Sequence, residues 1–559
     1  MLLADLRPLT SYLFARAESS EPAFTFLDYS ADRDGVERTI TWAELAERVR
    51  SVAAGLTRVT DRGERVAIMA PQDLTYVIGF LGALHAGTVA VPLFAPQVGQ
   101  HGERLVNVLA DCAPQVWLTS SGALGEVRAL TEGHPVPMPK QIFAVDELTA
   151  PAGEATAPEL DLDETAYLQY TSGSTGDPSG AMITHRAIAA NAWQAASAFG
   201  TGPDWTCVGW IPFFHDMGLG HLIALPLMFG VRSVFMTPFD FIMRPARWLR
   251  QLANYPNTFS AAPNFAFEYA VRKTKDRSGL DLSGVRALLN GSEPVHPATI
   301  SRFDEELGPY GLRPQAHRPC YGLAEATVMV TATRDEGPTV TSFDRAALAA
   351  DRGVATEPGP DTVDLVAAGK PSAQQVRIVD PNTGVPRADD EVGEIWVRGP
   401  NVADGYWRRP ERTEETFGGS IPGEPGRWLR TGDLGMFHDG LLYVTGRLKD
   451  LIIVDGRNHY PQDIEATVSG AHPAVRRHHV AAFSVRDADG VEGAAVVAEL
   501  IQPDTDQTEV TRAIQRAVSA VHDVKLRGVK LVPSGSVLRT SSGKIARAAT
   551  RSEHWDSNR

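Results

Sequence analysis

Cysteine is scarce in this chain of 559 residues, which contains only Cys112, Cys207 and Cys320. An odd and sparse set cannot form a disulfide framework and suits a reducing compartment. The first residues also lack the basic segment followed by an apolar core that marks a secretory signal. Together these absences favour a cytoplasmic protein.

Long apolar runs and excess positive charge are missing as well. The most apolar stretch, residues 219–231, is interrupted by His221 and Pro226 and is too short to span a bilayer. The formal net charge is −15, which argues against general binding of nucleic acid. All of this net negative charge lies before residue 451, so the last part of the chain is electrostatically distinct and is expected to form its own domain.

What the chain does contain is an alternation of strand-like and helix-like segments over its first 330 residues, which is typical of βαβ units and mainly parallel sheets. Residues 335–369 are rich in Pro, Gly, Asp and Ala and are expected to be largely irregular. We therefore predict an α/β protein. We expect a large N-terminal domain (residues 1–446) that contains layered α/β subdomains and a small β region. A hinge at 447–450 joins it to a small α+β domain, residues 451–559.

Residues 170–180 read YTSGSTGDPSG and are the most informative stretch of the sequence. Glycines allow the backbone to approach a ligand closely, while successive N–H groups and hydroxyls form an anion site. The stretch lacks the lysine of a Walker loop, so it would hold phosphates through backbone and hydroxyl groups. The alternative is an ordinary surface turn. The candidate phosphate-binding residues are Thr171, Ser172, Gly173, Ser174, Thr175 and Gly176.

Six further short segments contain residues that could carry chemistry, several of them where a predicted strand ends, and ligands of open α/β sheets bind at such ends. Each of them alone is also compatible with a turn, a helix start or a solvated charged segment. The candidates are His215; Gly291, Ser292 and Glu293; Tyr321, Gly322 and Glu325; Asp433; Arg447 and Lys449; and Lys544.

Taken together and in this order, the seven segments resemble the adenylate-forming superfamily of acyl-CoA synthetases, peptide-synthetase adenylation domains and luciferases. Within it the chain is most similar to the fatty acyl-AMP ligases. Ala324 and Ser179 stand where most relatives have Thr and Lys, and residues 259–268 and 289–295 look like that subgroup. The stretch around 340–368 matches the subgroup's extra segment, which in those relatives packs between the lobes and is associated with loss of CoA use.

The resemblance implies that ATP and a fatty acid form acyl-AMP and pyrophosphate, and that the acyl group then passes to the phosphopantetheine thiol of an acyl carrier protein in polyketide or lipopeptide assembly. Lys544 would bridge the carboxylate and the α-phosphate, with His215 near the carboxylate and Mg²⁺ held by Glu325. Lys449 would be the hinge about which a mobile C-terminal domain rotates.

The same resemblance implies the nucleotide contacts. Asp433 and Arg447 would hold the ribose, Tyr321 would cover the adenine, and residues 291–293 would line it. Gly322 is also expected to bind the nucleotide.

The acyl pocket is expected to use apolar residues of 259–267 and 236–243, among them Phe259, Phe265 and Met236, with ordinary core packing as the equal alternative. Two other functions stay open. One is a fatty acyl-CoA ligase, and the other is a non-catalytic adenylate-binding or scaffold protein.

Overall fold

The structure of the chain is a computed structural model that describes residues 3–30, 32–96, 102–149, 158–171, 178–454, 457–486, 492–502, 505–539 and 544–556. Helices and strands are numbered in chain order. The α-helices are α1 Leu9–Phe14, α2 Trp42–Thr57, α3 Leu74–His85, α4 Gly102–Cys112, α5 Leu124–Gly133, α6 His185–Phe199, α7 Asp216–Leu219, α8 Leu225–Phe229, α9 Pro238–Met243, α10 Ala246–Asn254, α11 Asn264–Lys273, α12 Pro297–Leu307, α13 Arg345–Ala349, α14 Pro410–Phe417, α15 Pro461–Ala471, α16 Gln507–His522 and α17 Arg547–His554.

The largest sheet has nine strands, whose inner members run parallel while its edges are closed by antiparallel pairs. In spatial order the strands are β17 Lys370–Pro371, β14 Met329–Ala332, β13 His317–Gly322, β12 Val285–Gly291, β11 Thr258–Pro263, β9 Thr206–Gly209, β10 Arg232–Phe235, β1 Pro22–Asp28 and β2 Val36–Thr41. Because the inner strands are parallel, the segments that follow β9, β11, β12 and β13 meet at one edge of the sheet.

A second sheet has six strands, all parallel except the final antiparallel pair. Its spatial order is β6 Gln141–Ala144, β5 Val116–Thr119, β3 Arg65–Ile68, β4 Val89–Pro92, β7 Thr165–Thr171 and β8 Ser179–Thr184. Strands and helices alternate along this part of the chain, as the sequence pattern predicts, and the predicted α/β class is confirmed.

The main hydrophobic core joins the two large sheets through helices α2, α3 and α6. Helix α3 is capped by Asp73, whose side chain accepts from Thr75 N, and it is buried on all sides from Tyr76 to His85. Gly82 allows α2 to approach closely, since a Cβ there would lie 2.4 Å from Val52. A helix that is apolar all round is explained by its position inside this core.

A four-stranded antiparallel sheet follows, in the order β18 Gln375–Val379, β19 Gly393–Arg398, β20 Leu429–His438 and β21 Leu441–Arg447. Against it packs the segment expected to be irregular, and that expectation is wrong in part. Residues 340–366 form an antiparallel pair, β15 Val340–Asp344 and β16 Thr362–Val366. The helix-like stretch of this segment, residues 343–350, forms α13 after β15, as its sequence indicates. Phe343 fills the interface, 5.2 Å from the ring of Tyr443.

The last hundred residues build a small α+β unit around its own buried apolar cluster. Its strands are β22 Ile452–Val454, β23 Arg457–His459, β24 Val475–Arg486, β25 Glu492–Leu500 and β26 Gly528–Val532. Arg547 ties this unit to the connector before it, since its guanidinium contacts Glu465 at 2.7 Å and Asp450 at 3.2 Å. Among the described residues, no helix combines the length and apolar character needed to cross a bilayer.

Candidate active site

His215 and Asp216 lie where the segment after β9 enters α7, at the common edge of the parallel strands. His215 Nδ1 is 2.5 Å from Asp216 Oδ1, which also accepts from Met217 N at 2.7 Å. Burial by itself would raise the pKa of Asp216, but the charges of His215 and Lys544 outweigh it and hold the pKa below its ordinary value. Asp216 is therefore a buried carboxylate that contacts His215 and interacts with the Lys544 ammonium.

Lys544 reaches this edge from the C-terminal unit. Burial lowers the pKa of its ammonium below the ordinary value, while the charges of Asp216, Asp433 and Glu293 oppose that shift. The ammonium therefore lies in the electrostatic field of carboxylates from three distant parts of the chain, together with the cation Arg447. The predicted catalytic lysine and the predicted strand-end residues are thus brought together.

Asp433 forms the centre of a second group. It pairs directly with Arg447 across β20 and β21, and the Arg447 Nε donates to Asp433 Oδ1 at 2.7 Å. Tyr321 Oη, from β13, donates to Asp433 Oδ2 at 2.8 Å. Asp433 raises the pKa of Arg447, and burial raises that of Tyr321. A carboxylate fixed on both oxygens is suited to accept from a diol, as predicted for the ribose.

The residues after β12 adopt a backbone that favours ligand approach. Gly291 ends the strand, and a Cβ there would lie 2.8 Å from the Cys320 carbonyl oxygen. Ser292 has a φ of 66°, which is uncommon for a residue other than glycine. Glu293 Oε1 accepts from Phe265 N at 2.6 Å, and burial raises the pKa of this carboxyl although Arg539 and Lys544 act against the shift.

Glu325, the predicted Mg²⁺ ligand, lies in a single turn, Ala324–Ala326, between β13 and β14. Tyr406 Oη donates to Glu325 Oε1 at 2.6 Å. Within the described part of the chain, no group of three or more His, Cys, Asp or Glu side chains could hold a metal. One carboxylate fits Mg²⁺ all the same, because this ion is usually bound by one or two carboxylates together with substrate phosphates and water.

The Gly- and Ser-rich loop is described only at its ends. Thr171 ends β7 and pairs with Ser179 at the start of β8, while Ser172, Gly173, Ser174, Thr175 and Gly176 lie outside the described residues. Arg412 of α14 donates to the hydroxyl of Ser179, and its guanidinium lies 4.9 Å from the ring of Tyr406. A cation therefore stands beside the loop that has no lysine of its own. The sequence contains no signal for this pairing of residues 233 positions apart.

Lys449 lies in the turn Leu448–Asp450, between β21 and the C-terminal unit. Burial and the neighbouring cation Arg447 lower the pKa of its ammonium. The position suits the predicted hinge, which remains a prediction.

A cavity of about 70 Å³ opens beside this charged cluster. Asp216, Ser292, Tyr321 and Gly322 line it on the side of the charged cluster. Mainly apolar side chains line the remainder, together with the polar residues Asn191 and His221. A hydrocarbon tail could extend into this apolar space, because Asp216, which interacts with the Lys544 ammonium, forms one end of its wall.

The three residues predicted for the acyl pocket have different positions. Phe259 lies behind the cavity wall, its ring 5.0 Å from that of His221. Met236 and Phe265 belong to a different cluster around Trp210 and do not line the cavity. Successive residues of a strand point to opposite faces of the sheet. The cluster that contains Met236 therefore lies on the face of the sheet opposite to the cavity.

A family model described as AMP-binding enzyme matches residues 14–407, and one described as Disco-interacting protein 2-like, AMP domain, matches residues 449–558. The chain belongs to the adenylate-forming family of AMP-binding enzymes.

Its relatives include the long-chain-fatty-acid–AMP ligase FadD26 of Mycobacterium marinum, which is 43% identical over 97% of this chain and 96% of that protein. The putative fatty-acid–CoA ligase FadD21 of Mycobacterium tuberculosis is 43% identical over 96% and 95%. A structure of fatty acyl-adenylate ligases from E. coli and L. pneumophila matches with a TM-score of 0.88 and 31% identity, over 100% of this chain and 99% of that one.

Proposed function

We propose that this chain is a fatty acyl-AMP ligase that joins a fatty acid to ATP, releases pyrophosphate and passes the acyl group to the phosphopantetheine thiol of an acyl carrier protein. The observation that carries the proposal is the electrostatic interaction of the Lys544 ammonium with Asp216, Asp433 and Glu293, of which Asp216 also lines an apolar cavity. The relatives named as fatty-acid–AMP ligases support it.

In the first half-reaction two anions must meet, and neutralising their charge is the main task of the site. Lys544 would contact both the carboxylate and the α-phosphate with one compact cation. Asp433 and Arg447 would orient the ribose, Tyr321 and residues 291–293 would enclose the adenine, and His215 would lie near the carboxylate. Fixing both reactants in this way removes part of the entropic barrier.

The phosphates would be held by the loop from Thr171 to Gly176 and by a Mg²⁺ ion at Glu325. When bound, the ion would neutralise phosphate charge. Tyr406 keeps the Glu325 carboxylate oriented through its hydrogen bond. In the second half-reaction, rotation about Lys449 would withdraw Lys544 and open the acyl-AMP to a thiol.

The carrier-protein acceptor is supported by the segment that packs between the four-stranded sheet and the C-terminal unit. Asn458 Nδ2, in β23, donates to Asp351 Oδ1 at 2.8 Å. Such a contact would restrain the movement of the C-terminal unit that acyl transfer to CoA requires. A fatty acyl-CoA ligase is the second candidate, because relatives of equal similarity carry that name.

The test is incubation of the purified protein with ATP, Mg²⁺ and a fatty acid, with either CoA or a holo acyl carrier protein. Pyrophosphate release with acylated carrier protein and little acyl-CoA is the expected result. Abundant acyl-CoA would favour the second candidate. A complete lack of pyrophosphate release with fatty acids of every length would contradict both candidates and favour a non-catalytic protein.

A further inference from the structure

His221 is a polar residue in the wall of an otherwise apolar stretch of the cavity. It belongs to a π-helical turn, Gly220–Ala224, and its residue is only 6% exposed. Leu225, Phe199 and Val328 line the cavity with it. Single π-helical turns within helices occur frequently at functional sites.

The imidazole has no hydrogen-bond partner among the residues that the structure describes. Its Nε2 is buried and unpaired, and the hydrogen bond made by this residue uses its backbone carbonyl, which accepts from Cys207 Sγ at 3.2 Å. The ring stands edge-on to Phe259, at 88° and a centroid distance of 5.0 Å. Buried polar side chains normally have a partner, so this one requires an explanation.

The charge state of His221 limits what that partner can be. Burial lowers the pKa of the imidazole to about 3, so the ring is neutral at physiological pH. A neutral imidazole offers one N–H donor and one acceptor nitrogen. A hydroxyl or keto oxygen can pair with it, whereas a second charged group would be buried without compensation.

The position of His221 relative to the reacting end of the substrate follows from the helix. Asp216 lines the cavity on the side of Lys544, and His221 is five residues further along a continuous helical segment. At about 1.5 Å of rise per residue this places His221 roughly 7 Å from Asp216 along the helix axis. His221 therefore lies on the cavity wall beyond the end at which Asp216 is found, where the first several carbons of a bound chain would pass.

We propose that His221 is a specificity-determining residue that hydrogen-bonds an oxygen substituent on the acyl chain, so that the preferred substrate class is hydroxylated or keto fatty acids. The proposal rests on the proposed fatty acid adenylation and names its substrate more closely. A site that hydrogen-bonds a substrate hydroxyl discriminates strongly against the analogue without it, because its own polar group is then left unpaired.

The experiment measures pyrophosphate release by the full chain with fatty acids that have the same chain length and differ only in a hydroxyl substituent. One acid is unsubstituted, and the others carry a single hydroxyl at successive positions from carbon 3 to carbon 8. We expect one or two adjacent positions to give a kcat/KM about tenfold or more above that of the unsubstituted acid. Equal activity with all of them would overturn the inference but leave the proposed function intact.

Variants identify the residue responsible. His221→Phe keeps a planar ring without nitrogens and should abolish the preference, so that the hydroxylated and the unsubstituted acids give the same kcat/KM. His221→Gln keeps a donor and an acceptor and should retain part of the preference. This second variant keeps the test decisive if His221→Phe folds poorly. His85→Phe is the matched control, since His85 is also buried with its pKa lowered to about 4, lies 4.2 Å from the ring of Phe14 and does not line the cavity. An unchanged preference in folded His221→Phe would contradict the proposal.

Discussion

The charged part of the candidate site and the apolar cavity beside it are built in different ways. The charged part takes Lys544 from the C-terminal unit, Asp433 and Arg447 from the four-stranded sheet, and Glu293 from the strand-end edge. The cavity is lined entirely by elements between α6 and β14. The charged part is therefore complete only when the C-terminal unit is docked, whereas the cavity needs no residue of that unit. Substitutions in the first should change ATP chemistry, and substitutions in the second should change the choice of acid.

The largest effect is expected from Lys544→Ala. Removing the ammonium leaves the two reacting anions without their shared cation, and we expect the rate of pyrophosphate exchange to fall by about 10³-fold. The preference among fatty acids should remain. Lys525→Ala, at an exposed position in the same unit, is the control and should be unchanged. Normal pyrophosphate exchange by the Lys544→Ala protein would show that Lys544 takes no part in adenylation.

Asp433→Ala should reduce kcat/KM for ATP by about 100-fold, because two hydrogen bonds to a charged acceptor are lost. KM for the fatty acid should change little. Asp439→Ala, in the turn between β20 and β21 and almost fully exposed, is the matched control. Thermal unfolding of both variants would show whether loss of the partner of Arg447 and Tyr321 also destabilises the fold. An equal loss for ATP and fatty acid would argue against a specific ribose contact.

The pH dependence should reveal the buried ammonium. Burial lowers the pKa of Lys544 below its ordinary value of 10.5, and the protonated form is the active one. Activity should therefore be complete at lower pH and decline as pH rises through the lowered pKa, by about tenfold per unit in kcat/KM. A Lys544→Arg protein with residual activity should lose this decline, since arginine stays protonated. A decline that persists unchanged in that variant would belong to another group.

Arg412→Ala should raise both KM for ATP and the inhibition constant of pyrophosphate by about tenfold, as expected when one charge-assisted contact to phosphate is lost. The basis is the hydrogen bond from Arg412 to Ser179, next to the loop predicted to bind phosphate. Arg408→Ala, which removes an exposed arginine stacked on Trp407 just before the same helix, is the control. Transfer from preformed acyl-AMP should be unaffected, and a loss there would contradict a role limited to the phosphates.

The smallest effect is expected from Asp351→Ala, which removes the acceptor of the Asn458 side chain. If this contact restrains the C-terminal unit, transfer to CoA should rise about threefold, as for the loss of one hydrogen bond of ordinary strength. Asp361→Ala, at an exposed position of the same segment, is the control. Unchanged transfer to CoA would count against restraint by this contact.

Much of the fold could be predicted because its signals are local. Asp73 before an apolar run predicts α3, and the Gly-Ser-Glu turn after an apolar strand predicts the edge at residue 291. The pairing of residues 340–344 with 362–366 could not be predicted, because 17 residues separate these strands and their composition is that of a loop. The contact between Arg412 and Ser179 could not be predicted either, since nothing in the local sequence of either residue indicates the other as its partner.

The amino-acid sequence by itself determined the α/β class, the order of the chemical segments and the family, because turn residues, caps and apolar periodicity act over short distances and leave a readable pattern. Only the tertiary structure decided which side chains share a space. It set Lys544 among three carboxylates, left Met236 and Phe265 off the cavity wall, and placed an unpaired His221 in it. The physical reason is that burial and charge act through space, and distance in space is set by packing of the whole chain.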